Sequence, residues 1–260
     1  MSNSAVLYEV KDRIALITLN RPEALNAING QVWKELGAAF ERFSEDSDVW
    51  VAVITGAGSR AFCAGADLKS AAEIAGQHVT SPGGFAGIVK RYVDKPLIAA
   101  VNGLALGGGA EIAMFCDLVV ASDQARFGLP EVKRGVVAIG GGLLRLPRQI
   151  PLKTAMYHIL TGESFGADEA LQWGLVNKVV PQDQVLGTAM EMAEHICRNA
   201  PLAVRASKRI VYESLARSVD FSDESWSISE REAEANRQSE DAKEGPRAFS
   251  ERRAPIWQAR

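Results

Sequence analysis

Cysteine is scarce in this chain. The three present, Cys63, Cys116 and Cys197, form no close pair, which excludes a dense disulfide framework and suits reduced, buried thiols in a cytoplasmic protein. No stretch is apolar for long enough to span a bilayer, so no membrane partner is expected. The opening MSNSAVLYEVKDR lacks a basic region followed by an apolar core, so no secretion signal is expected either. A basic excess is also missing: 29 Lys and Arg against 32 Asp and Glu leave a formal charge of -3, which argues against a nucleic-acid partner. The glycine clusters lack the lysine and Ser/Thr of a phosphate loop, and none has the spacing of a dinucleotide fingerprint. His78, His158 and His195 stand apart from one another. They read as a loop, a packing and a helix residue, with no second ligand to suggest a metal.

What is present is a pattern of strands and helices. A chain of 260 residues can bury one large core, with or without a smaller appendage. Alternating apolar residues between positions 6 and 20, interrupted by KDR, predict a hairpin. NRPEALNAING then enters a helix carrying Val32, Leu36, Ala39 and Phe43 at helical spacing. VWVAVITGAG reads as a buried strand ending in glycines, so the class is α/β, a parallel sheet covered by helices. SRAFCAGADLKSAAEI repeats the step from glycine to helix, with Asp67 read as a helix cap. Residues 76 to 87 read as a loop. Arg126 either pairs with a carboxylate or faces water. PLKTAMYHILTG predicts a helix with Met156, Ile159 and Leu160 toward the core. From Gln182 three successive helices are expected, Pro201 opening the second. The division is a core over residues 1–199 and a C-terminal helical region over 200–260, whose tail carries Phe249 and Trp257 as aromatic anchors, docked on a subunit or packed on the parent sheet.

The most informative stretch runs from Lys95 to Leu146. Leu97 to Val101 is five apolar residues in a row, the pattern of a central strand covered on both faces. Gly107, Gly108 and Gly109 follow and open a short helix, whose free N–H groups face a cleft. Glu111 lies in the first turn of that helix, and Glu131 in FGLPEV. The Ala66 N–H is a second donor toward the same cleft. Two donors converging from separate turns suit a carbonyl oxygen that gains negative charge, and two carboxylates beside them suit proton transfer. The residues alone leave the bland reading open as well, with Glu111 an exposed helix residue and Glu131 a turn residue.

Taken in order, NRPEALNAI, AFCAGADLK, KPLIAAVNG, ALGGGAE, FGLPEV, GGGLLRL and EALQWGLVNKVV resemble the crotonase, or enoyl-CoA hydratase, superfamily over nearly the whole chain. The resemblance implies a spiral of repeated ββα units with a C-terminal helical region that helps form a homotrimer or homohexamer. It implies an acyl-CoA substrate and no cofactor or metal, the coenzyme A being part of the substrate. Ala66 and Gly108 match the oxyanion donors, Glu111 the glutamate that activates water, and Glu131 the one that protonates the α-carbon. Ala24, Ala64, Asp67 and Leu68 match coenzyme-binding positions, and Arg252 a basic position that can approach a neighbouring subunit's coenzyme. Two departures stand out: Glu23, where relatives often carry a basic residue, and Leu143–Leu144, which make GGGLLRL more apolar than the usual GGTQRL.

Retention of both glutamates makes reversible hydration of a trans-2-enoyl-CoA the main expectation, with double-bond isomerisation an alternative. DLKSAAE, PGGFAG, GGLLRLPR and EDAKEGPRAFSERRAPIW also resemble the carnitinyl-CoA dehydratase (crotonobetainyl-CoA hydratase) branch. A trimethylammonium substrate would be held by aromatic faces or a carboxylate, for which Phe85, Tyr92, Glu73 and Asp94 are the available positions.

Overall fold

β1 (Val6–Lys11) and β2 (Ile14–Leu19) form the expected antiparallel hairpin, Val6 opposite Leu19. Asp12 and Arg13 between them have φ of 48° and 71°, the pair of left-handed residues that a tight hairpin turn with the strands' own twist requires. The computed structural model describes residues 4–67, 70, 82–215, 231, 234–235 and 238–260. The expected helix after Asp67, His78 and Glu73, and most of the third C-terminal helix lie outside the described residues, as does the side chain of Phe249.

α1 (Gly30–Glu45) starts where the Asn29 side chain accepts from the Val32 N–H at 2.9 Å, satisfying one of the free donors of its first turn. Its buried stripe includes Trp33, Leu36, Phe40 and Phe43. There follow β3 (Val51–Gly56), β4 (Ala61–Cys63), β5 (Leu97–Val101), β6 (Leu104–Leu106) and α2 (Gly108–Phe115). Next come β7 (Leu118–Ser122), β8 (Arg126–Gly128), α3 (Gly142–Gln149), α4 (Leu152–Thr161), β9 (Phe165–Gly166), α5 (Ala167–Gln172) and β10 (Lys178–Val180). The chain ends with α6 (Val185–Cys197), α7 (Pro201–Leu215) and α8 (Glu240–Glu251).

A six-stranded sheet has the order β1-β2-β3-β5-β7-β10 and a four-stranded sheet the order β4-β6-β8-β9. The pairs β3–β4, β5–β6 and β7–β8 each place one strand in the larger sheet and the next in the smaller. Each new strand lies parallel to its predecessor. The chain therefore advances by one strand in both sheets per turn, which is the spiral of repeated units expected from the sequence. Every residue of β3 and of β5 is buried, which explains their unbroken apolar runs, and each such Val, Ile or Leu stabilises the fold by roughly 1.5–3 kcal/mol. Phe40 meets Phe43 at 6.1 Å and Phe115 at 5.7 Å, which pins α1 to α2.

The described chain divides into two compact units, one comprising the chain up to Tyr92 with Leu97–Ala193, the other Val93–Pro96 with Glu194–Arg260. In the second, Asp94 is held by Arg205 at 2.9 Å and Arg209 at 2.6 Å. Asp241, 1 % exposed, accepts from the Gln258 and Ala259 N–H groups at 2.6 and 3.0 Å. Trp257 is half-buried and its indole N–H donates to the Arg198 carbonyl at 2.7 Å, so this aromatic anchors the tail within its own unit.

Three expectations are corrected. In α4 the buried face is Ala155 and His158, whereas Met156 and Leu160 are 40 % and 67 % exposed. The apolar stripe was real, but a smaller side chain and a histidine take the inner side. His158 packs there as expected, Nδ1 3.0 Å from the Glu163 carbonyl, its ring 4.8 Å from Phe165 and 5.4 Å from Trp173. Arg126 neither pairs with a carboxylate nor merely faces water: it donates to the hydroxyl and carbonyl of Ser164. Cys63 and Cys116 are buried, but Cys197 is half-exposed. Among the described residues no helix is long and apolar enough to cross a membrane, and no group of three or more His, Cys, Asp or Glu could hold a metal.

Candidate active site

Two turns leaving the smaller sheet meet at one point. After β6, Gly107 takes φ 55° and ψ -126°, a conformation that only glycine adopts without strain, and its N–H donates to the Gly128 carbonyl at 2.9 Å. The chain then turns into α2, so the Gly108 N–H is a first-turn donor with no acceptor inside its helix. After β4, a Cβ placed on Gly65 would lie 2.8 Å from the Leu106 carbonyl oxygen and 3.1 Å from the Gly108 nitrogen. The two turns are thus in contact, and glycine is what lets them be.

Ala66 forms an isolated parallel bridge with Ile28. The bridge uses the Gly65 carbonyl and the Asp67 N–H, each at 2.8 Å from the Ile28 backbone. In a parallel bridge the residue between those two groups turns its own N–H to the other side, and Ala66 is exposed. Ala66 and Gly108 accordingly present backbone donors from two adjoining turns.

Glu111, in the first turn of α2, is only 3 % exposed. Its Oε1 accepts from the Gly142 N–H at 2.9 Å, and a Cβ on Gly140 would fall 2.2 Å from its Oε2. Burial pushes its carboxyl up to about 7, aided by the nearby Glu131 charge and opposed by the Gly142 and Gly140 N–H groups and by Arg145. Glu131 sits in the 3-10 turn Pro130–Arg134 after β8. Burial raises its carboxyl too, opposed by its own backbone N–H. Its Oε1 would be 2.9 Å from a Cβ on Gly107, and its Oε2 is buried with no hydrogen-bond partner among the described residues. Two carboxyls with raised affinity for protons, one on each of two turns, are suited to exchanging protons with a bound substrate.

Ala24, Ala64, Ala66 and Asp67 come together because residues 21–28 run beside 63–67. The Ala64 N–H donates to the Leu25 carbonyl at 3.0 Å. Both terminal nitrogens of Arg21 lie 3.1 Å from Asp67 Oδ2, and one also donates to the Ala27 carbonyl at 2.7 Å. Asp67 was expected to cap the following helix, which lies outside the described residues; its carboxylate is gripped by this guanidinium. Leu68 lies outside the described residues. Arg252 belongs to the second unit, exposed, at φ 54°.

Sequence reasoning passed over Arg21 and Arg145, and named Phe85 only as a position for a trimethylammonium group. Phe85 packs edge-on against Trp33 at 5.4 Å, and its ring would be 2.3 Å from a Cβ on Gly108, so it roofs the donor turn. Tyr92 is 55 % exposed, and Asp94 is already neutralised by two arginines. Arg21 and Arg145 stand inside motifs quoted for other residues, NRPEALNAI and GGGLLRL; an arginine beside a run of glycines or a turn was the available signal.

The enoyl-CoA hydratase/isomerase family model matches residues 9–260. A carnitinyl-CoA dehydratase from Escherichia coli O157:H7 is 44% identical over 250 residues, covering 94% of each chain. The crystal structure of enoyl-CoA hydratase from Mycobacterium tuberculosis H37Rv superposes with a TM-score of 0.93 at 45% identity, covering 99% of this chain and 100% of that one. That of carnitinyl-CoA hydratase from Mycobacterium avium does so with a TM-score of 0.78 at 48% identity, covering 100% of both.

Proposed function

Because this chain belongs to the enoyl-CoA hydratase/isomerase family, we propose that it catalyses reversible syn addition of water to a trans-2-enoyl-CoA, giving a 3-hydroxyacyl-CoA. The observation that carries this reading is the pair of glutamates whose carboxyls burial raises, Glu111 fully and Glu131 half-buried, beside two outward backbone donors. The Ala66 and Gly108 N–H groups hold the thioester oxygen. Ionised Glu111 takes a proton from water as the water oxygen bonds to the β-carbon. The electron pair of the double bond moves onto the thioester as an enolate, and protonated Glu131 delivers its proton to the α-carbon. One proton has then moved from Glu131 to Glu111, and exchange with solvent resets the pair. Each oxyanion donor contributes about 3 kcal/mol to such a step. Both proton transfers are assigned to side chains, so the reaction needs no metal or bound cofactor.

Ala24, Ala64 and Asp67 belong to the coenzyme-binding edge in this reading, with Leu68 as a further contact and Arg252 approaching the coenzyme of a neighbouring subunit. Homotrimeric or homohexameric assembly is supported by the exposed apolar side chains along one stretch of the first unit, among them Val137, Ile139, Leu144, Leu152 and Leu160, a surface that a monomer rarely leaves bare. The partition into a core over residues 1–199 and a C-terminal region over 200–260 serves that assembly. Cytoplasmic residence is supported by three thiols without disulfides.

A second, narrower reading is favoured by the names of relatives. A carnitinyl-CoA dehydratase at 44% identity supports a 3-hydroxyacyl-CoA bearing a trimethylammonium group as substrate. Kinetics on crotonyl-CoA, longer enoyl-CoAs and crotonobetainyl-CoA rank the two by kcat/KM. For the chemistry itself, Glu111→Gln and Glu131→Gln are expected to lose hydration of their preferred substrate. Near-normal turnover by either variant would remove that residue from its role. Exchange of carbon-bound hydrogen with deuterium from solvent, without any 3-hydroxyacyl product, would replace hydration by isomerisation.

A further inference from the structure

The three consecutive glycines 140–142 are closely enclosed by side chains, Glu111 and Arg145 among them. A Cβ on Gly140 would fall 2.2 Å from Glu111 Oε2, one on Gly142 would fall 3.1 Å from Glu111 Cγ, and one on Gly141 would fall 2.1 Å from Arg145 Nη1. Gly141 also has φ of 105°. The turn is therefore moulded around Glu111 on either side and around Arg145 in the middle. Arg145 is itself anchored from three directions. One terminal nitrogen donates to the Gly140 carbonyl at 3.4 Å, the other to the Val89 carbonyl at 2.7 Å, and the guanidinium lies 5.4 Å from the centre of the Phe115 ring. Phe115 ends α2, the helix that carries Glu111. One rigid, planar cation thus spans the glycine turn, the segment after Phe85, and the helix of the acid.

We propose that Arg145 is the positioning residue of this site: it holds the Gly140–Gly142 turn where the Gly142 N–H meets the Glu111 carboxylate, and so governs how much of Glu111 is ionised and which way it points. The proposal deepens the hydratase reading and rests on it for the kinetic part only. Among the described residues the charged groups acting on Glu111 are Glu131 from the turn after β8 and Arg145 from α3. They push in opposite directions on a carboxyl that burial has already raised. Without the guanidinium, Glu111 loses a favourable charge and a fixed N–H donor together. Both losses favour the neutral acid. A lysine would keep the charge but not the fork that reaches two carbonyls at once.

The test follows the Glu111 carboxyl directly. Full-length protein labelled with ¹³C at the glutamate carboxyl carbon is titrated by NMR, the Glu111 signal being the one missing from Glu111→Gln. The pH profile of crotonyl-CoA hydration is recorded in parallel for wild type, Arg145→Gln and Arg145→Lys. In Arg145→Gln the Glu111 midpoint moves to higher pH, the acid limb of the rate profile moves with it, and kcat falls about 10- to 100-fold with KM changed less than about 3-fold. Arg145→Lys returns the midpoint toward wild type while kcat stays low. If Arg145→Gln does not fold, Arg145→Lys carries the test, with lowered kcat at a near-native midpoint as the supporting result. A melting temperature that drops while midpoint and kcat match wild type in the folded variants overturns the proposal. A wild type that hydrates nothing, but whose Glu111 midpoint rises on loss of Arg145, removes the hydratase reading and leaves the positioning role standing.

Discussion

Replacing Glu111 by glutamine should remove activity and strengthen the fold, and the size of the second effect depends on pH in a calculable way. The folded protein holds the Glu111 proton up to about pH 7, whereas the unfolded carboxyl releases it near 4.5. A native state that binds the proton more tightly is favoured at low pH and loses stability as pH rises through that window. Fully ionised, Glu111 costs the fold about 3 kcal/mol; at pH 5 less than about 1 kcal/mol of this has appeared. Glutamine can still accept from the Gly142 N–H, but turns an amide toward the Gly140 side where a carboxylate oxygen stood, at a cost of about 1 kcal/mol. The variant should therefore be more stable than wild type by about 2 kcal/mol at pH 8 and no more stable at pH 5. For a chain of this length that corresponds to a rise of roughly 5 °C in melting temperature at pH 8. Thermal unfolding of both proteins at one fixed concentration, at each pH, measures the difference, and the background titration of other groups cancels in it. The same melting-temperature difference at pH 5 and pH 8 would refute the claim that Glu111 is buried against its own charge.

Three further substitutions, one of them a control, test the geometry around that carboxylate and the proposed coenzyme edge. Gly140→Ala places a methyl 2.2 Å from Glu111 Oε2 and should lower kcat about 100-fold. Gly187→Ala, in a helix with nothing within 4 Å of the new methyl, should instead stabilise by about 0.5–1 kcal/mol; an equal kinetic loss in both would show that the first reflects no specific clash. Arg21→Ala removes one partner from Asp67 and from the Ala27 carbonyl and should raise KM for an acyl-CoA about 10-fold with little change in kcat, whereas an unchanged KM would detach this ion pair from coenzyme binding.

Much of the scaffold could be read from the residues because its signals are local. An unbroken run such as Leu97–Val101 has few other uses than a central strand, and the hairpin is fixed by alternation across a two-residue turn. The acids could be named by type and by their place beside glycines. Their state could not, because Glu111 is buried by residues about thirty positions further on, and nothing in GGGAE says that Gly140 and Gly142 will close over it. The same limit explains α4. Met156, Ile159 and Leu160 do form an apolar stripe, but periodicity reports that a helix has such a face and is silent on whether this chain or another surface covers it. Arg21 and Arg145 were hidden for the opposite reason: arginine suits an exposed surface so well that only its partners, Asp67 and two backbone carbonyls, reveal that it is structural.

The groups assigned to chemistry fall at one recurring station of the spiral. Ala66 comes three residues after β4, Gly108 two after β6, and Glu131 three after β8. In the proposed reaction successive coils deliver an electrophile's anchor, then a second anchor with a base, then an acid, like stops along one edge of a staircase. Each stop hangs from its own pair of strands, so a loop can be lengthened, shortened or recharged on one coil while its neighbours keep their register. A scaffold with this division of labour lends itself to exchanging one acid, or one pocket wall, at a time without rebuilding the pair of turns proposed to hold the thioester oxygen.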